Sequence, residues 1–163
     1  MDASSYDAII RISDSTCGFA LGVRCDPDEI RAVEFLTPRD ALAPRTPLAK
    51  EAVRQLRAYL KDPRFEFGLP LAPAGTHFQR RVWEGIAGIP SGETRTYGAL
   101  AKSIHSAPRP VGGACGANPY AVVVPCHRVV ASGGRLGGFG RGDGGSPLEI
   151  KRWLLAHEGN LWH

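Results

Sequence analysis

Nine consecutive residues, Val122-Val123-Val124-Pro125-Cys126-His127-Arg128-Val129-Val130, constrain this chain more than any other stretch. A β-branched run reads as a buried strand. Proline cannot continue a sheet ladder, so the pattern predicts a strand over 122–124 that stops at Pro125. That leaves a thiol at a strand end, beside an imidazole and a guanidinium. Both neighbours favour the thiolate, the nucleophilic form of cysteine. Free cysteine is also among the most buried residue types, so an inert core thiol ahead of a surface His-Arg is the competing reading.

The wider composition bounds the choice. The chain has 163 residues, 43% hydrophobic and 22% charged, which suits a soluble globular protein of one domain or two small ones. No stretch is long enough to cross a bilayer, and Met1-Asp2-Ala3-Ser4-Ser5 lacks the regions of a signal peptide. A cytoplasmic protein with no membrane partner is expected, nucleoid-associated if bacterial. The four cysteines, Cys17, Cys25, Cys115 and Cys126, should then be reduced. They include no C-x-x-C pair and no nearby H-x-x-x-H, so no metal site is expected. A net charge of +4 is weak evidence for a polyanion partner.

The first third alternates short apolar runs with turn clusters. Strands are predicted over 8–12, 19–23 and 32–36, then a helix over 47–61 with an apolar stripe of Leu48, Ala52, Leu56, Tyr59 and Leu60. The proline- and glycine-bearing stretch 62–75 reads as an extended connection. It separates an N-terminal α/β domain, 1–73, from a C-terminal domain, 74–163.

The second half is more sharply punctuated. Thr76-His77-Phe78-Gln79 is a capping-box pattern. It opens a helix to about Ala87 that should bury Phe78, Val82 and Ile86. A short helix from Tyr97 to Ile104 follows, with Leu100 and Ile104 inward. A break at 106–110 leads to a helix from Pro110 to Ala117, with proline at a tolerated first position. That helix is rich in small residues: Gly112, Gly113, Ala114, Gly116 and Ala117. Two helices joined by a break suggest helix-turn-helix. The small residues would let the second lie close to a nucleic-acid backbone, or equally let it pack against a neighbouring helix. A glycine-rich stretch, 133–145, then ends in Ser146-Pro147-Leu148-Glu149, another capping-box pattern. The last helix reaches Glu158, and Gly159 stands at the C-cap.

In that helix Ile150, Trp153, Leu154, His157 and Glu158 share one face. Glu158 is thus placed inward at a helix C-terminus, where a negative charge is disfavoured. An inward carboxylate requires a partner; a frayed last turn with Glu158 in solvent is the other possibility. Adjacent residues on a strand face opposite ways. Cys126 and His127 would therefore meet through a turn or a water, in a Cys–water–His–Glu relay.

These motifs, in order, closely resemble the O6-alkylguanine-DNA alkyltransferase family of direct-reversal DNA repair proteins. The resemblance covers Thr76 to Gly159. It is carried by Gly92-Glu93-Thr94, Thr96-Tyr97, Leu100-Ala101, Arg109-Pro110-Val111-Gly112-Gly113-Ala114, Asn118-Pro119, Pro125-Cys126-His127-Arg128-Val129-Val130 and Leu154-Leu155-Ala156-His157-Glu158-Gly159. The first third matches only loosely, at its strands, Gly18 and Cys25. The implied fold is a small ribonuclease H-like sheet-plus-helix domain followed by a mainly helical, winged-helix-like domain.

The resemblance implies that Cys126 accepts the alkyl group irreversibly, once per molecule, and without a cofactor. His127 would act as its base through water and Glu158 would orient His127. Asn118 would brace the turn carrying the cysteine, and Tyr97 would bond the flipped guanine. Arg109 would fill the gap in the base stack, and Thr94, Gly113, Ala114 and Arg128 would also contact DNA. Val129, Phe139 and Gly140 would join Tyr97 around the base. The partner would be duplex DNA containing alkylated guanine, bound through the minor groove, with O4-alkylthymine a second candidate substrate and no obligate protein partner. The base must leave the stack, because its alkyl carbon is unreachable inside a duplex. Two departures stand out: the loop 140–146 is longer than the family pattern, and Gly140 replaces a small hydroxyl residue. The alternative function is a lesion-binding relative that does not repair, although such proteins lack the acceptor cysteine. A Cys-His-Glu hydrolase would instead turn over, and in a plain helix-turn-helix regulator the thiol would be incidental.

Overall fold

The computed structural model describes residues 5–13, 18–133, 135–137 and 147–160. The fold is α/β, a small antiparallel sheet with helices. The described residues divide into two units: 5–13, 18–73 and 119–123 form one, and 74–118, 124–133, 135–137 and 147–160 the other.

In the first unit the three apolar runs form β1 (Ala8–Ser13), β2 (Gly18–Cys25) and β3 (Ile30–Leu36), antiparallel in the order β1-β2-β3. The register pairs Ile10 with Leu21 and Leu21 with Phe35, so large apolar residues line up across the sheet. Gly22 is required by packing, since a Cβ there would meet the Tyr6 ring at 2.7 Å and Leu36 at 2.8 Å. Helix α1 (Pro47–Lys61) is capped by Thr46, whose hydroxyl accepts from the Ala49 N–H. Its buried face is Ala49, Ala52, Val53, Gln55, Leu56 and Tyr59, rotated from the expected stripe, with Leu48 and Leu60 only half-buried. The rotation has a polar cause: Gln55 is buried and bonds both the N–H and the carbonyl of Gly68.

Those bonds correct the reading of 62–75 as a simple connection. Phe67 packs on Tyr59 and Phe65, and Leu71 bridges Ile30, so residues through 73 belong to the first unit. Segment 119–123 joins β3 as well: Val33 N–H donates to the Pro119 carbonyl and Ala121 N–H to the Val33 carbonyl. The Tyr120 hydroxyl donates to the Ala72 carbonyl.

The second unit begins with α2 (His77–Ala87), where both halves of the Thr76–Gln79 capping box form. Val82, Trp83 and Ile86 are its buried residues and Phe78 is half-buried. Then come β4 (Arg95–Thr96), α3 (Tyr97–Ser103) and α4 (Pro108–Gly116). Helix α4 starts two residues earlier than expected, so Arg109 lies in its first turn rather than in the break. The turn between α3 and α4 is closed by Ser106 N–H donating to the Ala101 carbonyl at 2.8 Å, with His105 left-handed at φ 57°. Close packing of α2 on α3 depends on Gly85, where a Cβ would lie 2.9 Å from Leu100. The indole of Trp83 donates to the Ala114 carbonyl, tying α2 to α4.

The apolar run 122–124 is not a strand. Val123 N–H bonds the Ala121 carbonyl across Val122, which is left-handed at φ 69°. Cys126 N–H bonds the Val124 carbonyl across Pro125, whose φ −82° and ψ 66° are those of an inverse γ-turn. A β-branched residue at positive φ is rare and strained. Burial, not sheet pairing, therefore explains the valines: Val122 and Val124 are both buried. A 3-10 turn (Cys126–Arg128) leads into β5 (Val129–Val130), which pairs in parallel with β4, and α5 (Pro147–His157) packs over that turn. Gly159, at φ 94°, terminates α5. The expected cap at Ser146 lies outside the described residues. Among those residues no helix is long and apolar enough to cross a membrane.

Candidate active site

The γ-turn at Pro125 and the 3-10 turn together place Cys126 and His127 on the interior, 5% and 1% exposed. Because 126–128 is helical rather than extended, the strict alternation of a strand does not apply and both side chains turn inward. Asn118 holds this segment: its Nδ2 donates to the Val124 carbonyl at 2.9 Å, and its side chain also bonds the Cys126 thiol. The Val124 carbonyl thus takes donors from both Asn118 and Cys126, fixing where the thiol begins.

Glu158 is the hub of the next group, with its side chain fully buried. Its Oε2 accepts from His127 Nε2 at 2.7 Å. The Arg128 guanidinium grips the same carboxylate with two bonds, Nε to Oε1 at 2.8 Å and Nη2 to Oε2 at 3.0 Å. Arg128 Nη1 donates to the Ile89 carbonyl at 2.7 Å. The inward placement of Glu158 is therefore correct, and a partner the sequence reading directed elsewhere neutralises it. The resemblance implies a DNA contact for Arg128; instead its guanidinium is committed inside the protein, where a buried carboxylate needs it most.

Burial pushes the His127 imidazole below its usual value and the Arg128 charge adds to this, while Glu158 opposes both. The ring is neutral at pH 7. Since a carboxylate only accepts, the proton is assigned to Nε2. Nδ1 is buried, has no hydrogen-bond partner among the described residues, and presents a lone pair able to take a proton.

The thiol is not activated at rest. Cys126 is raised well above the usual thiol value, first by its hydrogen bond to the Cys115 thiol and then by burial; Asn118 and Lys151 pull the other way. Cys115, half-buried at the end of α4, is lowered by the same bond. This corrects the expectation that His127 and Arg128 hold Cys126 as a thiolate: one is neutral and the other is paired with Glu158.

Lys151 was hidden from the sequence reading. It is 0% exposed, and its Nζ donates to the Val129 carbonyl at 2.7 Å and the Leu136 carbonyl at 2.6 Å. Nζ also lies 3.5 Å from the Tyr97 hydroxyl, and burial lowers its value to about 8. Burial likewise raises the Tyr97 phenol, so its hydroxyl stays a donor at neutral pH. Gly137 lies against the Tyr97 ring: a Cβ would sit 2.8 Å away. Lysine is normally read as solvated, but Lys151 falls seven residues before Glu158, on its face, and that spacing is the signal for it.

The other expected residues divide. Arg109 and Gly113 are exposed on α4, and Thr94 is half-buried before β4. Ala114 is 3% exposed and packed inward, so it offers DNA no side chain; its place on the buried face of α4 decides this. Val129 is fully buried and contributes its carbonyl to Lys151. Phe139 and Gly140 lie outside the described residues. A Cβ built on Gly112, Gly113 or Gly116 would meet nothing within 4 Å beyond its own helix among the described residues. Packing against a neighbouring helix therefore does not account for these glycines. No group of three potential metal ligands occurs among the described residues.

A family model described as 6-O-methylguanine DNA methyltransferase, DNA binding domain, matches residues 77–160. The chain belongs to the 6-O-methylguanine DNA methyltransferase family. Its relatives there include the methylated-DNA–protein-cysteine methyltransferase of Methanosarcina acetivorans, 48% identical over 113 residues, or 68% of this chain and 69% of that protein. The namesake from Mycobacterium tuberculosis is 50% identical over 109 residues, 66% of this chain and 63% of that one. The crystal structure of Mycobacterium tuberculosis OGT in complex with DNA has a TM-score of 0.72 and 36% identity, covering 92% of this chain and 91% of that one. An O6-methylguanine DNA methyltransferase from Methanococcus jannaschii has a TM-score of 0.64 and 25% identity, covering 91% and 92%. Like its family, the chain is a DNA-repair methyltransferase whose acceptor is a protein cysteine.

Proposed function

We propose that this protein repairs O6-alkylguanine in duplex DNA by moving the alkyl group irreversibly to Cys126. The observation that carries this reading is the buried Cys126 thiol beside a neutral His127 whose orientation is held by Glu158 and Arg128. The reaction begins from a protonated thiol. His127 Nδ1 takes the thiol proton through a water, and the imidazolium that forms is stabilised by Glu158. The thiolate then attacks the alkyl carbon in line. As the C–O bond breaks, its electron pair stays with the guanine oxygen, and the Tyr97 hydroxyl donates to the departing base with Lys151 beside it. The thioether is not cleaved by water, so each molecule acts once.

Access requires the damaged base to leave the duplex. The open glycine face of α4 would let the helix approach the minor groove closely, and Arg109, exposed in its first turn, would occupy the gap. Residues 74–163 would then form the DNA-binding and acceptor domain. The winged-helix-like description of that domain, and the ribonuclease H-like description of the first, go with this reading.

The decisive measurement is the intact mass of the protein after mixing with duplex DNA carrying O6-methylguanine. One methyl adduct on Cys126, reaching a plateau at one equivalent, is expected. Restored DNA with an unmodified protein, or continued turnover, would overturn the proposal. Binding with neither adduct nor repair would identify a lesion-binding protein.

A further inference from the structure

Helix α1 gathers its cations on one side. Lys50, Arg54, Arg57 and Lys61 follow at spacings of four, three and four residues, which sets them in a row along the helix. All four are exposed, and the buried face of Ala49, Ala52, Leu56 and Tyr59 lies on the other side. Pro47 and Ala58, beside the row, are small and uncharged. Glu51 is the one carboxylate of the helix, and it is engaged by the Arg54 guanidinium and by Gln55. Lys50, Arg57 and Lys61 pair with no carboxylate among the described residues. Like charges three and four residues apart weaken a helix. Helix stability therefore works against this row, and a surface that is merely solvated has both signs interspersed.

We propose that this face of α1 binds the phosphate backbone of duplex DNA, in addition to the contact proposed for α4. The charge is complementary: α1 holds four cations and one carboxylate in a chain whose whole net charge is +4. Helix α4, by contrast, contains one charged residue, Arg109. From Lys50 to Lys61 the row runs about 16 Å at 1.5 Å per residue. Duplex DNA presents about one phosphate charge per 1.7 Å of its axis, so a row of that length meets several in any register. The contact is therefore independent of sequence. Two other polyanions fit less well. A single strand is held by aromatic side chains on which its bases stack, and the row has none. A membrane surface takes up the apolar face of an amphipathic helix, and in α1 that face is buried in the protein.

The test measures affinity of the full chain for a short undamaged duplex across a range of salt. Such DNA carries no alkyl group, so the result stands whether or not Cys126 is an acceptor. The variant combines Lys50→Gln, Arg57→Gln and Lys61→Gln and leaves the Arg54–Glu51 pair in place. Each lost cation should take about 0.9 from the slope of log affinity against log salt, roughly 2.7 together. Near 0.1 M salt its binding should be weaker by at least on the order of tenfold. Arg57→Gln alone should lower the slope, whereas Arg11→Gln, at an exposed site on β1, should not. Equal effects of those two would reduce the row to its share of net charge and overturn the proposal. An unchanged slope in the triple variant would overturn it too, and lost binding to polyglutamate alongside would assign the row to an acidic protein. Should the triple variant not fold, acetylation of the unmutated chain decides. Duplex DNA should protect Lys50 and Lys61 from an amine-reactive reagent, and equal labelling with and without DNA would overturn the contact.

Discussion

Glu158 serves two cationic or proton-bearing partners with two oxygens, so its replacement should affect folding and chemistry together. Glu158→Gln leaves the Arg128 charge buried without its counter-ion. Breaking a buried pair in this way costs about 3–5 kcal/mol, readable as a lower urea midpoint. It also removes the acceptor that orients His127, and alkyl transfer should slow by roughly 10²-fold, in keeping with the usual contribution of a positioned base. The pH dependence follows from the direction of the His127 shift. Burial lowers its value in the native state, so the neutral base persists as pH falls through the ordinary histidine value of about 6.5. The rate with free O6-benzylguanine should hold through that pH and drop only below it. Stability has a matching sign: in that window the unfolded chain binds the proton and the native state does not, so unfolding free energy falls with falling pH. A rate that halves at pH 6.5 would show that His127 is not held neutral by burial.

At the level of elements, α4 separates two contributions to repair. Gly113 is exposed and a side chain there meets no described neighbour outside the helix. Gly113→Ala should therefore raise stability by up to about 1 kcal/mol through helix propensity alone. Gly113→Leu and Arg109→Ala should both slow repair of duplex DNA while leaving reaction with free O6-benzylguanine little changed. Equal losses on the two substrates would remove α4 from DNA recognition. The elements themselves differ in how far sequence reveals them. Helix α2 was legible because a capping box is a local, four-residue arrangement, and α5 because its apolar positions and inward Glu158 share one period. The segment 122–124 was not: three valines look the same in a strand and in a buried pair of γ-turns. What separates those cases is a side-chain bond from Asn118 and the pairing of 119–123 with β3. Both are contacts that a local pattern cannot carry. Arg128 and Lys151 were obscured for a related reason, since a cation is read as solvated until a buried acceptor for it is known.

For the molecule as a whole, the net charge of +4 gives association with DNA a definite salt signature. Each phosphate contact releases counterions, so log affinity for duplex DNA should fall linearly with log salt. Reaction with the free base should not follow that slope, because no phosphate is engaged. Similar salt dependence for both substrates would point to an effect on the folded protein instead. The described residues divide into two units that interleave along the chain. Because 119–123 returns to the first unit, one cut in the chain cannot part the units cleanly.

The set formed by neutral His127, cationic Arg128 and anionic Glu158 carries no net charge before the proposed reaction. Passing the thiol proton to His127 keeps Cys126 and this set neutral in sum, as an internal ion pair of thiolate and imidazolium. Alkylation then erases the negative member, since a thioether is uncharged. A buried imidazolium is left with one positive charge in excess, while the departing base carries one negative charge. The spent site is thus electrically unbalanced until a proton leaves it, which makes the transfer of that proton towards the outgoing guanine downhill in the direction of repair.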